Sequence, residues 1–124
     1  MAATRVLVVD DSEADQFIAR LRLQDVEPGV NITQAFDGAE AMALVEAQGE
    51  TAFDLILLDV NMPRMNGRAF LEAYSRTERA SPPVVVVLTS SADAQDRELF
   101  EEFACVGDYL VKPLDPDWVE RTLR

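Results

Sequence analysis

Short apolar runs recur along this chain, separated by longer stretches whose apolar residues fall at helical spacing. The runs are 6–9 (VLVV), 30–36 (VNITQAF), 53–58 (FDLILL), 84–88 (VVVVL) and 109–111 (YLV). Three of them are continuous rather than alternating, which is typical of strands covered on both faces. Helices cover both faces of a parallel sheet, so the pattern predicts an α/β fold.

The segments between the runs predict helices. After Ser12, the spacing predicts an amphipathic helix with an apolar stripe formed by Ala14, Phe17, Ile18 and Leu21. Ser12, with Asp15 three residues later, resembles a capping box at the start of that helix. A short last helix begins at Pro116, and the other helices are expected over 39–48, 67–76 and 94–105. The β-α pattern occurs five times and predicts a single domain over residues 1–124.

Charge and composition narrow the possible functions. The formal net charge is −12, and an acidic surface repels phosphates, so we expect no direct contact with nucleic acid. No apolar run is long enough to span a bilayer, so we expect no membrane insertion. Cys105 is the only cysteine, which favours a reducing, cytoplasmic location. The chain has no histidine, which excludes histidine-assisted catalysis and a phosphohistidine on the chain itself.

Polar side chains follow four of the predicted strands. Asp10 and Asp11 follow the first, Asp59 the third, Thr89 the fourth, and Lys112, the only lysine, the fifth. Taken singly, each has a simpler explanation as a helix cap, a loop residue or a solvated lysine. Because parallel strands present their carboxyl ends at one edge of a sheet, we expect all five side chains to converge there.

Three converging carboxylates need a cation, since their mutual repulsion would otherwise raise their pKa values. A hard divalent metal with oxygen ligands meets this need. Mg²⁺ is the preferred candidate, because it takes one or two carboxylates and keeps waters that a phosphate can replace. Zinc is disfavoured in a chain with no histidine and one cysteine.

Four motifs together resemble the receiver domain of two-component response regulators. They are VVDD (8–11), LLDVNMPRMNG (57–67), VLTSS (87–91) and DYLVKP (108–113). The resemblance extends from residue 5 to about residue 120. It implies a flavodoxin-like (βα)5 sandwich, in which a five-stranded parallel sheet in the order 2-1-3-4-5 has helices on both faces.

The resemblance also implies a chemistry. Asp59 would be the phosphoacceptor, taking a phosphoryl group from a phosphohistidine on a sensor histidine kinase or a phosphotransfer protein. Lys112 and Thr89 would assist the transfer, and the bond before Pro113 would be cis. The chain would be a signalling module in a phosphorelay, catalysing only its own phosphorylation and dephosphorylation.

The remaining implied roles concern the metal, the lifetime of the acyl phosphate and the output. Asp11 would bind Mg²⁺ directly and Asp10 mostly through water, with Asp59 and the backbone carbonyl of Asn61 as further ligands. Asn61 and Ser91 would tune the lifetime. Thr89 and Tyr109 would form a switch pair. The switch would reshape a surface made of the fourth predicted helix, the fifth strand and the last helix, which binds a downstream protein.

Some features depart from the family pattern. The family usually has a glycine four residues before the switch aromatic, where this chain has Cys105, and a glycine appears instead at Gly107. We therefore expect a different cap after the fourth predicted helix. The last helix is short for the family, so the chain is either a stand-alone receiver or a receiver fragment of a larger regulator. The chain begins four residues before the first strand, and we expect no preceding domain.

Two other readings are open for this sequence. An aspartyl-phosphate phosphatase of the dehalogenase-like type needs a second aspartate two residues after the nucleophile, and Asn61 stands there. A flavodoxin-like flavin binder needs a phosphate-cradling loop rich in Gly, Ser and Thr after the first strand. The acidic segment 10–15 (DDSEAD) would repel that phosphate.

Overall fold

Five parallel strands form the centre of the molecule. The structure is a computed structural model that describes residues 4–48, 53–60, 62, 66–76, 84–90 and 102–123. The strands are β1 (Arg5–Val9), β2 (Asn31–Ala35), β3 (Leu55–Leu58), β4 (Val84–Thr89) and β5 (Val106–Val111). They lie in the order β2-β1-β3-β4-β5, which confirms the predicted order. The direction of winding reverses between β1 and β3, so the sheet's binding crevice is expected at their carboxyl ends.

Helices cover both faces of this sheet. The described residues contain α1 (Glu13–Val26), α2 (Gly38–Gln48), α3 (Gly67–Ser75) and a C-terminal helix (Pro116–Leu123). Helix α1 packs beside the C-terminal helix, and α2 packs beside α3. Helices α2 and α3 cover a hydrophobic cluster centred on Leu7, Ile56 and Phe70. Helix α1 and the C-terminal helix cover a second cluster, on the other face, centred on Val8, Leu57 and Leu23. None of the described helices is long and apolar enough to cross a membrane.

The fourth predicted helix is not confirmed. Its residues 94–101 lie outside the described residues, and its last four, 102–105, form turns and a bend rather than a helix. Strand β5 begins at Val106, three residues earlier than predicted. Gly107 is the extra residue of a bulge between β4 and β5, and a Cβ there would lie 2.9 Å from Cγ1 of Val84. The glycine thus serves close strand packing rather than a helix cap.

Helix α1 does not turn its predicted apolar stripe towards the core. The inward side chains are Gln16, Ala19 and Leu23, which are at most 3% exposed. The predicted stripe faces solvent, with Phe17 53%, Ile18 37% and Leu21 44% exposed, and Ala14 exposed as well. The cause is Gln16, whose Nε2 donates to the backbone oxygens at the ends of two strands, those of Val8, Asp10 and Ala35. These bonds turn the polar residue inwards and the apolar stripe outwards.

Helix α3 begins directly against the chain that leaves β3. Gly67 donates its backbone N–H to the carbonyl of Val60 at 3.1 Å. A Cβ at Gly67 would lie 2.6 Å from the backbone oxygen of Asp59 and 2.8 Å from Cα of Val60. The side chain of Asn66 caps the helix by accepting from the N–H of Ala69. Only glycine allows this approach, so residue 67 fixes the backbone beside Asp59.

Substitution of Gly67 tests this close approach. We expect Gly67→Ala to lower the free energy of unfolding by about 1–3 kcal/mol, because the new methyl group overlaps backbone that cannot move away. The measurement is urea unfolding followed by circular dichroism. Gly29→Ala is the matched control, since its Cβ would have no neighbour nearer than Oε1 of Glu27 at 3.7 Å. Equal stability of the two variants would contradict the prediction.

Candidate functional site

The carboxyl ends of β1 and β3 bring three aspartates together, as predicted. Carboxylate oxygens of Asp10, Asp11 and Asp59 all lie within 4.8 Å of one another. Asp10 and Asp59 are only 4% and 6% exposed, whereas Asp11 is exposed to solvent. The backbone holds both buried residues in line with the sheet, because Asp10 N–H donates to the carbonyl of Ala35 and Asp59 N–H to that of Val9.

Lys112 reaches the same place from the end of β5. Its backbone N–H donates to the carbonyl of Thr89 at 2.7 Å, and its peptide bond to Pro113 is cis, the geometry that the resemblance implies. The ammonium nitrogen lies 2.6 Å from Oδ2 of Asp10 and 3.6 Å from Oδ1 of Asp59. The only lysine of the chain is therefore part of the carboxylate cluster rather than a solvated surface residue.

Asp15 is a member of this cluster that the sequence did not predict. Its Oδ2 lies 2.8 Å from the ammonium nitrogen of Lys112. Only half of the predicted capping box forms: Ser12 Oγ accepts from the N–H of Asp15, but Ser12 N–H donates to Asp10 instead of to Asp15. The signal available in the sequence was proximity, since Asp15 follows Asp11 by four residues and lies in the first turn of α1, directly after the acidic end of β1.

Burial and crowding shift the ionisation of the cluster. Burial, followed by the neighbouring charge of Asp10, raises the pKa of Asp59 from 3.8 to about 6. Burial also raises the pKa of Asp10, although the hydrogen bond from Lys112 opposes the shift. For Lys112, burial lowers the pKa, but hydrogen bonds to Asp10 and Asp15 outweigh it and the net shift is upward. One ammonium thus leaves negative charge uncompensated in this site.

Thr89 and Tyr109 lie on one face of the sheet near its edge. Thr89 is fully buried. It is the last residue of β4, whereas the sequence predicted it as the first residue after that strand. Tyr109 pairs with Val87 across the β4–β5 ladder, so Thr89 is two residues further along on the same face. The Tyr109 ring is half-buried against the core cluster of that face. Asn61 and Ser91, the other two predicted site residues, lie outside the described residues.

A cavity of about 240 Å³ opens beside the cluster. Asp15, Ser90 and Lys112 supply its polar lining, and its other lining residues are Ile18, Ala19, Leu88, Pro113 and Leu114. Ser90 is exposed and small, so the approach to Lys112 from this side is open.

Comparison with known proteins identifies the architecture that carries this cluster. A family model of the response regulator receiver domain matches residues 6–124. The chain belongs to that family. This receiver domain therefore combines the fold and the acidic cluster with the sequence pattern of two-component response regulators.

Three relatives illustrate the similarity. The chemotaxis protein CheY4 of Vibrio cholerae is 33% identical, with a TM-score of 0.79, covering 98% of this chain and 97% of that one. The Mn²⁺-bound form of response regulator Rcp1 is 30% identical, with a TM-score of 0.79, covering 95% of this chain and 90% of that one. The sensor protein GacS of Pseudomonas syringae is 34% identical over 116 residues, covering 90% of this chain but only 12% of its own length.

The residues of this receiver domain fit a divalent cation. Asp10, Asp11 and Asp59 offer only carboxylate oxygens, the donors that hard cations such as Mg²⁺ prefer. Burial, more than neighbouring charge, raises the pKa values of Asp10 and Asp59 and so disfavours their ionised forms. A dication bound among these carboxylates would stabilise the ionised forms.

The pKa of Asp59 predicts a pH-dependent stability in metal-free protein. Because this pKa is about 6 in the folded protein, against an ordinary value of 3.8 for an aspartate, the folded state binds the proton more tightly than the unfolded chain. The ionised form of Asp59 therefore destabilises the folded state, and this destabilisation grows as the pH rises from about 4 to about 6. With EDTA at pH 7.5, we expect Asp59→Asn to be more stable than wild type by up to about 3 kcal/mol.

The difference in free energy of unfolding between wild type and Asp59→Asn should shrink to less than half at pH 4.5, where Asp59 is protonated in the folded protein. Urea unfolding at both pH values measures it. Asp25→Asn, which changes an exposed carboxylate on α1, controls for net charge and should follow wild type at both pH values. A wild-type protein that gains stability relative to Asp59→Asn between pH 4.5 and pH 7.5 would refute the assigned shift.

Proposed function

We propose that this chain is a phosphoacceptor response regulator, which takes a phosphoryl group onto Asp59 from a phosphohistidine on a partner protein. The observation that carries the proposal is the position of Asp59. It is buried at the carboxyl end of β3, within 4.8 Å of two further carboxylates and 3.6 Å from the only lysine. Membership of the receiver family supports the same assignment.

The transfer forms one bond and breaks another. A carboxylate oxygen of Asp59 attacks the phosphorus, the phosphorus–nitrogen bond of the donor breaks, and the imidazole nitrogen keeps the electron pair. With a pKa of about 6, Asp59 is mainly ionised at neutral pH and able to attack. Phosphoryl transfer depends chiefly on positioning and on stabilising charge on the phosphoryl oxygens. Lys112 provides a positive charge beside the attacking carboxylate.

Mg²⁺ would be held by Asp11 directly, by Asp10 mostly through water and by Asp59, with the backbone carbonyl of Asn61 as a further ligand. When bound, it would neutralise charge on the transferring group. The residues of the chain prepare this site in two ways. Asp59 and Asp10 are fixed at the sheet edge by backbone hydrogen bonds, and exposed Asp11 keeps the site accessible from solvent.

The output would follow from the new charge on Asp59. A phosphoryl group brings nearly two negative charges and three acceptor oxygens. The Thr89 hydroxyl would move to donate to them, and the Tyr109 ring would move into the space that it leaves. This motion biases an equilibrium between two existing states rather than creating a new fold.

The surface that responds would consist of the fourth predicted helix, β5 and the C-terminal helix. Asp108 links the last two of these elements, because its carboxylate accepts from the backbone N–H of Tyr109 at 2.8 Å and from Nε1 of Trp118 at 3.0 Å. A movement of Tyr109 would thus be transmitted to the C-terminal helix. A downstream protein would bind there. Asn61 and Ser91 would adjust the lifetime of the acyl phosphate.

The donor would be a sensor histidine kinase or a phosphotransfer protein in the cytoplasm. The similarity to GacS, a sensor protein, supports a partner of this class. The chain spans 12% and 25% of the lengths of the first two curated relatives, so a receiver module occurs there within larger proteins. We propose a stand-alone signalling module here, with a receiver fragment of a larger regulator as the alternative.

Acetyl phosphate, a small phosphoryl donor, tests the assignment of Asp59. With Mg²⁺ we expect the intact protein to gain the mass of one phosphoryl group, and with EDTA it should gain none. Asp59→Asn should gain none under either condition, while Asp54→Asn, an exposed carboxylate before β3, should behave as wild type. A mass gain that persists in Asp59→Asn or without a divalent ion would overturn the proposal.

Removal of the Thr89 hydroxyl tests the switch. We expect Thr89→Val to accept the phosphoryl group but to lose the coupled movement of Tyr109, because valine fills the site without donating a hydrogen bond. Ring signals of ¹³C-labelled tyrosine measure this, since the chain has only two tyrosines and Tyr74 is buried in the core as an internal reference. Ser90→Ala is the neighbouring control. Equal shifts of the Tyr109 ring in Thr89→Val and wild type would exclude the role of Thr89.

A further inference from the structure

The ammonium group of Lys112 is held by two carboxylates at hydrogen-bond distance and by a third beyond it. Its nitrogen lies 2.6 Å from Asp10 and 2.8 Å from Asp15, both within the range of a charge-assisted hydrogen bond. The distance to Oδ1 of Asp59 is 3.6 Å, which is an ion pair without a hydrogen bond. Lys112 therefore stands beside the phosphoacceptor without covering its oxygen.

Among the described residues, two carboxylates accept hydrogen bonds from Lys112. An ammonium group has three N–H donors, and Asp10 and Asp15 take two of them. The part of the chain that the structure describes offers the third no acceptor at hydrogen-bond distance, and a group attached to the nearby Asp59 carboxylate would present its own oxygens to it. The gap between Lys112 and Asp59 thus suits an incoming phosphoryl group better than the bare carboxylate.

Asp15 is placed to maintain this gap. It is in the first turn of α1, where its backbone N–H is fixed by the Ser12 cap at 3.2 Å. Its carboxylate is not one of the three that converge as a metal group, so it can keep its bond to Lys112 when a cation binds there. We propose that Asp15 is a positioning residue that holds Lys112 away from Asp59 until the phosphoryl group arrives. This inference rests on the proposed function of Asp59.

Loss of Asp15 would leave Lys112 held by Asp10 and free to turn towards Asp59, whose Oδ1 lies 3.6 Å away. A direct hydrogen bond would then occupy the oxygen that must attack phosphorus and would place the ammonium in the space of a bound cation. Both effects slow phosphorylation. The opposing effect, reduced repulsion of the phosphoryl donor, is weakened because the Asp15 side chain is 37% exposed and solvent screens its charge.

The first experiment follows Lys112 in metal-free protein. Because the chain has one lysine, ¹⁵N-labelled lysine with ¹³C-labelled aspartate reports couplings through the hydrogen bonds of a single ammonium group. We expect couplings to Asp10 and Asp15 in wild type, and to Asp10 and Asp59 in Asp15→Ala, which removes the acceptor. A wild-type coupling to Asp59, or no coupling to Asp59 in Asp15→Ala, would overturn the inference.

The second experiment measures phosphorylation by acetyl phosphate at saturating Mg²⁺. We expect Asp15→Ala to react about three- to tenfold more slowly than wild type, the size of effect that one charge-assisted hydrogen bond can exert. Glu13→Ala, which removes an exposed charge from the same turn of α1, should react as wild type. In a Lys112→Met background, Asp15→Ala should cause no further loss, because its effect acts through Lys112.

The outcomes separate this inference from the function on which it rests. If wild type gains no phosphoryl group on Asp59, the proposed function fails, while the couplings of Lys112 still decide the positioning role. If wild type is phosphorylated and Asp15→Ala matches Glu13→Ala, only the positioning role fails. Equal slowing by Asp15→Ala with and without Lys112 would also overturn it.

Discussion

The ammonium of Lys112 lies among the carboxylates of Asp10, Asp15 and Asp59, and the rest of the structure depends on this group of charges. Buried charges are costly unless each has a partner at close range. Here the partners come from β1, β3, β5 and α1, elements that are far apart in the chain. Only a fold that brings the ends of these elements to one edge of the sheet can assemble the group of charges. The chemistry of the site therefore requires this topology of the sheet.

Backbone contacts around the cluster show how the requirement is met. Gln16 binds the carbonyl of Asp10 together with those of two strand ends, and Gly67 allows α3 to begin against the backbone of Asp59. Neither residue carries chemistry itself. Each restricts the backbone next to a carboxylate, and burial at these positions raises the pKa values of Asp10 and Asp59.

Sequence reasoning succeeded where a residue's place depends on the backbone alone. The strands and the convergence of Asp10, Asp11, Asp59 and Lys112 follow from apolar runs and from which residue ends each run. The order of the strands followed only from the resemblance to receiver domains. It failed where the direction of a side chain decides. A polar Gln16 faces inwards, against the rule that apolar residues are buried, because its side-chain amide donates to carbonyls at the strand ends. The bond between Asp15 and Lys112 depends on the same rotation of α1.

In most amphipathic helices, the residues of the apolar stripe are also those that attach the helix to the core. The rotation of α1 separates these two properties. Its attachment to the sheet rests on Gln16, Ala19 and Leu23, while Phe17, Ile18 and Leu21 contribute little to the core. Mutation can therefore change the outward residues with little loss of stability, and they lie on the helix whose first turn supplies Asp15. The surface of α1 can therefore vary while the interior and the charge cluster stay constant.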